Sequence, residues 1–120
     1  MANYHYGDIV LLDFPYSEQR VSKRRPAIVL LQDGDRDVLV ARVTSKVYDG
    51  PTEIALRDWR DAGLNVPSRV RLTKLAIVGE FDVVRYVGKI TENDQVEVIA
   101  SLQRLIDSFM PFTPYDIKSV

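Results

Sequence analysis

Residues 26–32, Pro-Ala-Ile-Val-Leu-Leu-Gln, place five consecutive apolar residues between a proline and a polar turn. The run is of strand length, and because its apolar residues do not alternate it must be covered on both faces. A chain carrying it is committed to a sheet with material packed on each side. The neighbouring segments supply that sheet. Residues 7–16 open at a glycine, carry Ile9 to Leu12 and Phe14, and stop at Pro15, which reads as a first strand. Residues 17–23 are polar and form a loop before the second strand at 26–32, and the Asp-Gly-Asp-Arg-Asp run at 33–37 turns the chain. Strands are expected at 38–45, 52–56, 68–78 and 82–90; the 68–78 segment alternates charged and apolar residues as far as Lys74, the mark of one wet face.

Two stretches break this pattern. Residues 57–63 have the length of one or two helical turns, with Asp58 to cap them and Gly63 to end them. Residues 92–108 are the one long helix: Thr91 and Asp94 form an abbreviated capping box, and Val96, Ile99, Leu102 and Ile106 fall at helical spacing as the inward face. The expected architecture is mainly β with a C-terminal helix. It is a strongly curved antiparallel barrel or half-barrel with the helix plugging one side, a single domain over 1–120 with its core in 7–107 and a surface tail at 109–120.

Charge narrows the function. Sixteen Lys and Arg against seventeen Asp and Glu leave a formal net charge of −1, whereas a binder relying on bulk attraction to nucleic acid is strongly basic. Any nucleic-acid contact is therefore local, and the sequence has a place for it: four of the six residues from Arg20 to Arg25 are basic, at the mouth of the second strand. Such a cluster holds several phosphates in a salt-sensitive way; the plain alternative is a solvated loop with Glu18 as partial neutraliser. Tyr16 or Phe14 can stack on a base, a contact worth about 1–3 kcal/mol, although Phe14 also suits the core. The absence of cysteine rules out disulfides, zinc–thiolate sites and thiol nucleophiles, and with His5 as the lone histidine no Ser-His-type triad can be assembled. No apolar stretch approaches the roughly 20 residues of a membrane span, and the first residues lack a signal-peptide layout, so a cytoplasmic location with no membrane contact is expected.

Three stretches, taken in order and spacing, carry more. A Gly-Asp-led first strand (7–16), an Arg-Pro opening of the second (24–31) and an apolar third strand ending in Thr-Ser (38–46) resemble the MazF/PemK family of bacterial toxins, and the likeness extends over about residues 7–107. That resemblance implies an SH3-like barrel of the CcdB/MazF type and a homodimer. It implies an endoribonuclease cutting single-stranded RNA, without metal or other cofactor, to 2′,3′-cyclic phosphate and 5′-hydroxyl ends. It also implies a partner, a cognate antitoxin with a disordered acidic segment. Arg25 falls at the family's catalytic arginine and Thr44 at its threonine, while Arg71 aligns with an arginine some relatives use near the scissile phosphate. Arg20, Lys23, Arg24, Ser45 and Tyr16 are the accompanying RNA-binding candidates, Ser45 being the weaker hydroxyl because alternation sends it to the face opposite Thr44. The pattern departs at Thr73, where some relatives carry an acid proposed as general base. That departure keeps a second possibility open: a non-catalytic RNA- or protein-binding module on the same barrel, including a gyrase-poisoning variant.

Overall fold

The structure, a computed structural model, describes residues 3–14, 23–48 and 50–109. Strands β1 (Asp8–Phe14), β2 (Lys23–Leu31), β3 (Asp37–Thr44), β4 (Glu53–Ala55), β5 (Arg69–Gly79) and β6 (Val83–Lys89) precede one helix, α1 (Glu92–Phe109). The strands form one antiparallel sheet in the order β4-β5-β3-β2-β1-β6. Register shifts in the β1–β6, β2–β3 and β3–β5 pairs bend it, since an extra residue on one strand increases local twist. The result is a half-barrel: β4 and β6 remain its two edges.

As expected for strands without alternation, the central ones are buried on both sides. Ile9, Ile28, Ala41 and Val43 join Val70, Leu72 and Val98 of α1 in one core, while Val10, Leu12, Ala27, Val29, Val38 and Val40 form a second on the opposite face. At its N-terminal end β2 starts three residues earlier than Pro26, because β1 continues to pair with it as far as Phe14 opposite Lys23. The 57–63 segment is a chain of turns rather than a helix, closed by Ala62 N to Asp58 O (3.2 Å), Gly63 N to Arg60 O (3.0 Å) and Leu64 N to Trp59 O (3.1 Å).

The helix matches its expected length but not its rotation. Asp94, Val98 and Ser101 are buried and Leu102 and Leu105 pack against the first core, whereas Val96, Ile99 and Ile106 stand exposed. The cause is Asp94, fully enclosed at 0% exposure. Its carboxylate accepts from Arg57 N (3.0 Å) and Asp58 N (2.9 Å), so it reaches across to the 57–63 turns instead of back to its own N-cap. Half of the capping box survives, with Asp94 N donating to Thr91 Oγ1 at 3.4 Å. A buried carboxylate demands donors more strongly than one apolar stripe outbids another, and it sets which side of α1 faces in.

The N-terminal segment is fastened to the same helix. The Tyr6 hydroxyl donates to Gln95 O at 2.6 Å, and burial pushes its pKa up to about 12 from 10.0. The folded state therefore holds the phenol proton more tightly than the unfolded chain. The stability due to this group is intact below pH ~10 and falls as the pH climbs from ~10 to ~12. Urea melts across that window should show a shallower alkaline loss for Tyr6→Phe than for the unaltered chain; parallel curves would assign the burial no energetic weight.

Candidate functional site

The site originates in the way β2 and β3 separate. Their pairing runs to Ala27 opposite Arg42 and no further, at the point where Pro26 has no N–H to lend to a ladder. Beyond it β2 stays with β1 as far as Lys23, and β3 stays with β5 as far as Thr44 opposite Arg69. A cavity of about 340 Å³ lies where the strands part, a volume within the usual ~300–1,000 Å³ of small-ligand pockets. Arg24, Arg25 and Pro26 line it from β2, and Val43, Thr44, Ser45 and Lys46 from the end of β3. Leu11, Arg85 and Val87 enter from β1 and β6, and Gly63, Leu64, Asn65, Val66 and Ser68 from the segment before β5.

Arg25 and Thr44 thus both line one cavity. Arg25 is half-buried opposite Leu12, on the same side of β2 as Ala27 and Val29. Thr44 is 7% exposed, and its Oγ1 accepts from Lys46 N at 3.2 Å. That bond uses an acceptor position of the hydroxyl and leaves its proton to be donated. Ser45 lies just past the end of β3 at Thr44, is exposed and lines the same cavity.

Arg24 also lines the cavity while pairing across the strands with Asp13 (Nε to Oδ1, 3.4 Å). With side chains 63% and 45% exposed, that pair contributes about 0–1 kcal/mol and leaves the guanidinium open to exchange partners. Tyr16 and Arg20 lie outside the described residues, as do the Lys23 and Phe14 side chains and the 110–120 tail. Arg71 is not among the cavity's lining residues. Its Nε binds Glu53 Oε1 at 2.8 Å and its guanidinium stacks 3.6 Å from the Tyr48 ring centre, both half-buried, so it braces β5 against β4. Thr73 is exposed on β5 and also lies away from the cavity lining.

Of the lining residues, sequence reasoning named Arg24, Arg25, Thr44 and Ser45 and missed the rest. Lys46 and Arg85 add cations, and Asn65 adds a neutral amide. Arg85 was within reach of a pairing argument, since it sits opposite Leu11, which sits opposite Pro26 in the next strand. Four cations share the lining with apolar Leu11, Val43, Leu64, Val66 and Val87, which concentrates positive potential where solvent is partly excluded.

The sequence matches the family model described as PemK-like, MazF-like toxin of type II toxin-antitoxin system over residues 5–106. The chain belongs to this toxin family. Solved structures share its fold, a MazF-like one. An endoribonuclease from a mycobacterial species superposes with a TM-score of 0.71 at 16% identity, covering 94% of this chain and 98% of that one. A mycobacterial endoribonuclease in complex with its cognate antitoxin gives 0.72 at 17% identity, covering 90% and 97%. A MazE–MazF complex from Deinococcus radiodurans gives 0.71 at 20% identity, covering 89% and 98%. Among curated proteins no sequence matches this chain. Among the described residues of this family member, no helix is long and apolar enough to cross a membrane, and no group of three or more His, Cys, Asp or Glu is arranged to hold a metal ion.

Proposed function

We propose that this chain is the toxin of a toxin–antitoxin pair and an endoribonuclease that cleaves single-stranded RNA without a metal ion. The observation that supports it most is that Arg25 and Thr44 both line one cationic cavity between parted strands. In the reaction the 2′-oxygen forms a bond to phosphorus as its proton leaves, negative charge builds on the non-bridging oxygens, and the P–O5′ bond breaks with a proton delivered to the 5′-oxygen. The products are a 2′,3′-cyclic phosphate and a 5′-hydroxyl. Arg25 answers the second need, its planar fork matching two phosphate oxygens, and the Thr44 proton donates to the same group. Arg24, Lys46 and Arg85 hold the flanking phosphates, with Arg20 and Lys23 as further candidates. Arg71, bound to Glu53 and Tyr48, acts from outside this group.

Two partners follow. A disordered acidic antitoxin segment carries the charge that competes with RNA for this cavity. Homodimerisation has a physical basis in the exposed apolar residues Val96, Ile99, Ile106 and Phe109 of α1, which a monomer gains nothing by showing to water.

The purified chain should fragment a mixed-sequence RNA in EDTA, with ends that polynucleotide kinase can label directly at the 5′-hydroxyl. RNA left whole in EDTA but cut on adding magnesium would remove the metal-free mechanism. Growth arrest on induction with cellular RNA intact would favour a gyrase-directed or purely binding role instead.

A further inference from the structure

The cavity has two unlike sets of lining residues. Arg24, Arg25, Lys46 and Arg85 are cations; the continuous stretch Gly63–Leu64–Asn65–Val66 carries no charge. A nucleotide has the same division, with its anionic phosphate at one end and a flat, neutral, hydrogen-bonding base at the other. We propose that Asn65 reads the base adjoining the phosphate held by Arg25 and Thr44, which makes it a specificity-determining residue. This rests on the cavity being the RNA site.

Asn65 is exposed, and among the described residues nothing hydrogen-bonds its side-chain amide. That amide offers a donor beside an acceptor, the complement of a base edge. Leu64 and Val66 flank it with apolar surface for the base plane.

A reading residue needs a rigid mount, and the 57–66 segment has three ties. Asp94 of α1 accepts from Arg57 N and Asp58 N, and Thr91 Oγ1 donates to Asp58 Oδ2 at 2.7 Å. The turn then lies backbone to backbone on β6. Gly63 has φ +88, with Val87 O only 2.6 Å from where a Cβ would sit, and a Cβ on Gly88 would collide with Ala62 O. At the far end the Ser68 hydroxyl donates to Val66 O at 2.8 Å. None of these bonds involves the Asn65 side chain. The segment is fixed around an amide left open.

The test compares the unaltered chain with Asn65→Ala and Asn65→Asp on a randomised RNA pool, mapping cut sites by sequencing. The unaltered chain should favour one base at a position next to the cut. Asn65→Ala should lower that preference about tenfold or more while preferences elsewhere persist. Asn65→Asp, which only accepts, should shift the position towards guanine, whose N1–H and amino group donate side by side. Identical profiles in all three proteins would overturn the assignment. Binding of uncleavable 2′-O-methyl tetranucleotides differing in one base is measured alongside, because it reads the same residue without the chemistry. If the unaltered chain cuts nothing, the nuclease proposal fails by itself, and the assignment of Asn65 then stands or falls on whether its substitution levels those four affinities.

Discussion

Arg25→Ala should cut RNA about a hundred- to a thousandfold more slowly than the unaltered chain, the loss seen when one preorganised donor is removed from a developing oxyanion. The expectation follows from position as much as charge. Arg25 lies where β2 has left β3 but is still held by β1, so its backbone is anchored at the place where the cavity opens. Half-burial lowers the local dielectric, which raises the worth of a guanidinium on charge that appears only in the transition state. Arg25→Lys keeps the charge and loses the two-pronged geometry, so it should recover part of the rate but remain about tenfold or more below the parent. Thr44→Val removes one neutral hydrogen bond and should cost about tenfold. Single-turnover rates on one short RNA, read beside melting temperatures, separate chemistry from folding. Equal rates for Arg25→Ala and the parent would take this residue out of the mechanism.

Asp94→Ala should lower stability by about 3 kcal/mol and the melting temperature by on the order of 10 °C, although the residue is not among those lining the candidate site. The substitution leaves Arg57 N and Asp58 N without the carboxylate that each now reaches within 3.0 Å, and it frees the start of α1 from the turns. Asp94→Asn, with one accepting oxygen in place of two, should recover about half the loss. Hydrogen exchange gives a local check, because the amides of Arg57 and Asp58 should lose protection before the central strands do. The same variant should blunt base preference at the cut while it is still folded, since the wall that presents Asn65 hangs on this tie. A loss below ~1 kcal/mol would mean that water replaces the carboxylate at little cost.

Strands and helix were legible to within a few residues wherever periodicity was strong. The 68–78 segment became Arg69–Gly79, and the helix expected over 92–108 became Glu92–Phe109. Departures arose where a distant partner intervened. Lys23 to Arg25 joined β2 because β1 extended opposite them, and β3 ended at Thr44, which leaves Ser45 outside any strand. The site was half legible. Arg25 and Thr44 came from motifs lying near strand ends, but Lys46, Arg85 and Asn65 enter the cavity from three different segments. Arg71, plausible from its motif alone, found Glu53 on the next strand.

By itself the amino-acid order determined which segments extend, which one coils, the family they compose, and the pairing of a guanidinium with a hydroxyl near two strand ends. These are local properties, set by spacing over a few residues. Only the tertiary structure decided that β2 and β3 part at Pro26 to open a cavity, and that α1 turns Val98 rather than Ile99 inward. The physical reason is the same in both cases. A missing N–H and a buried carboxylate have consequences only through the groups they meet, and Asp94 meets its donors 36 and 37 residues away along the chain.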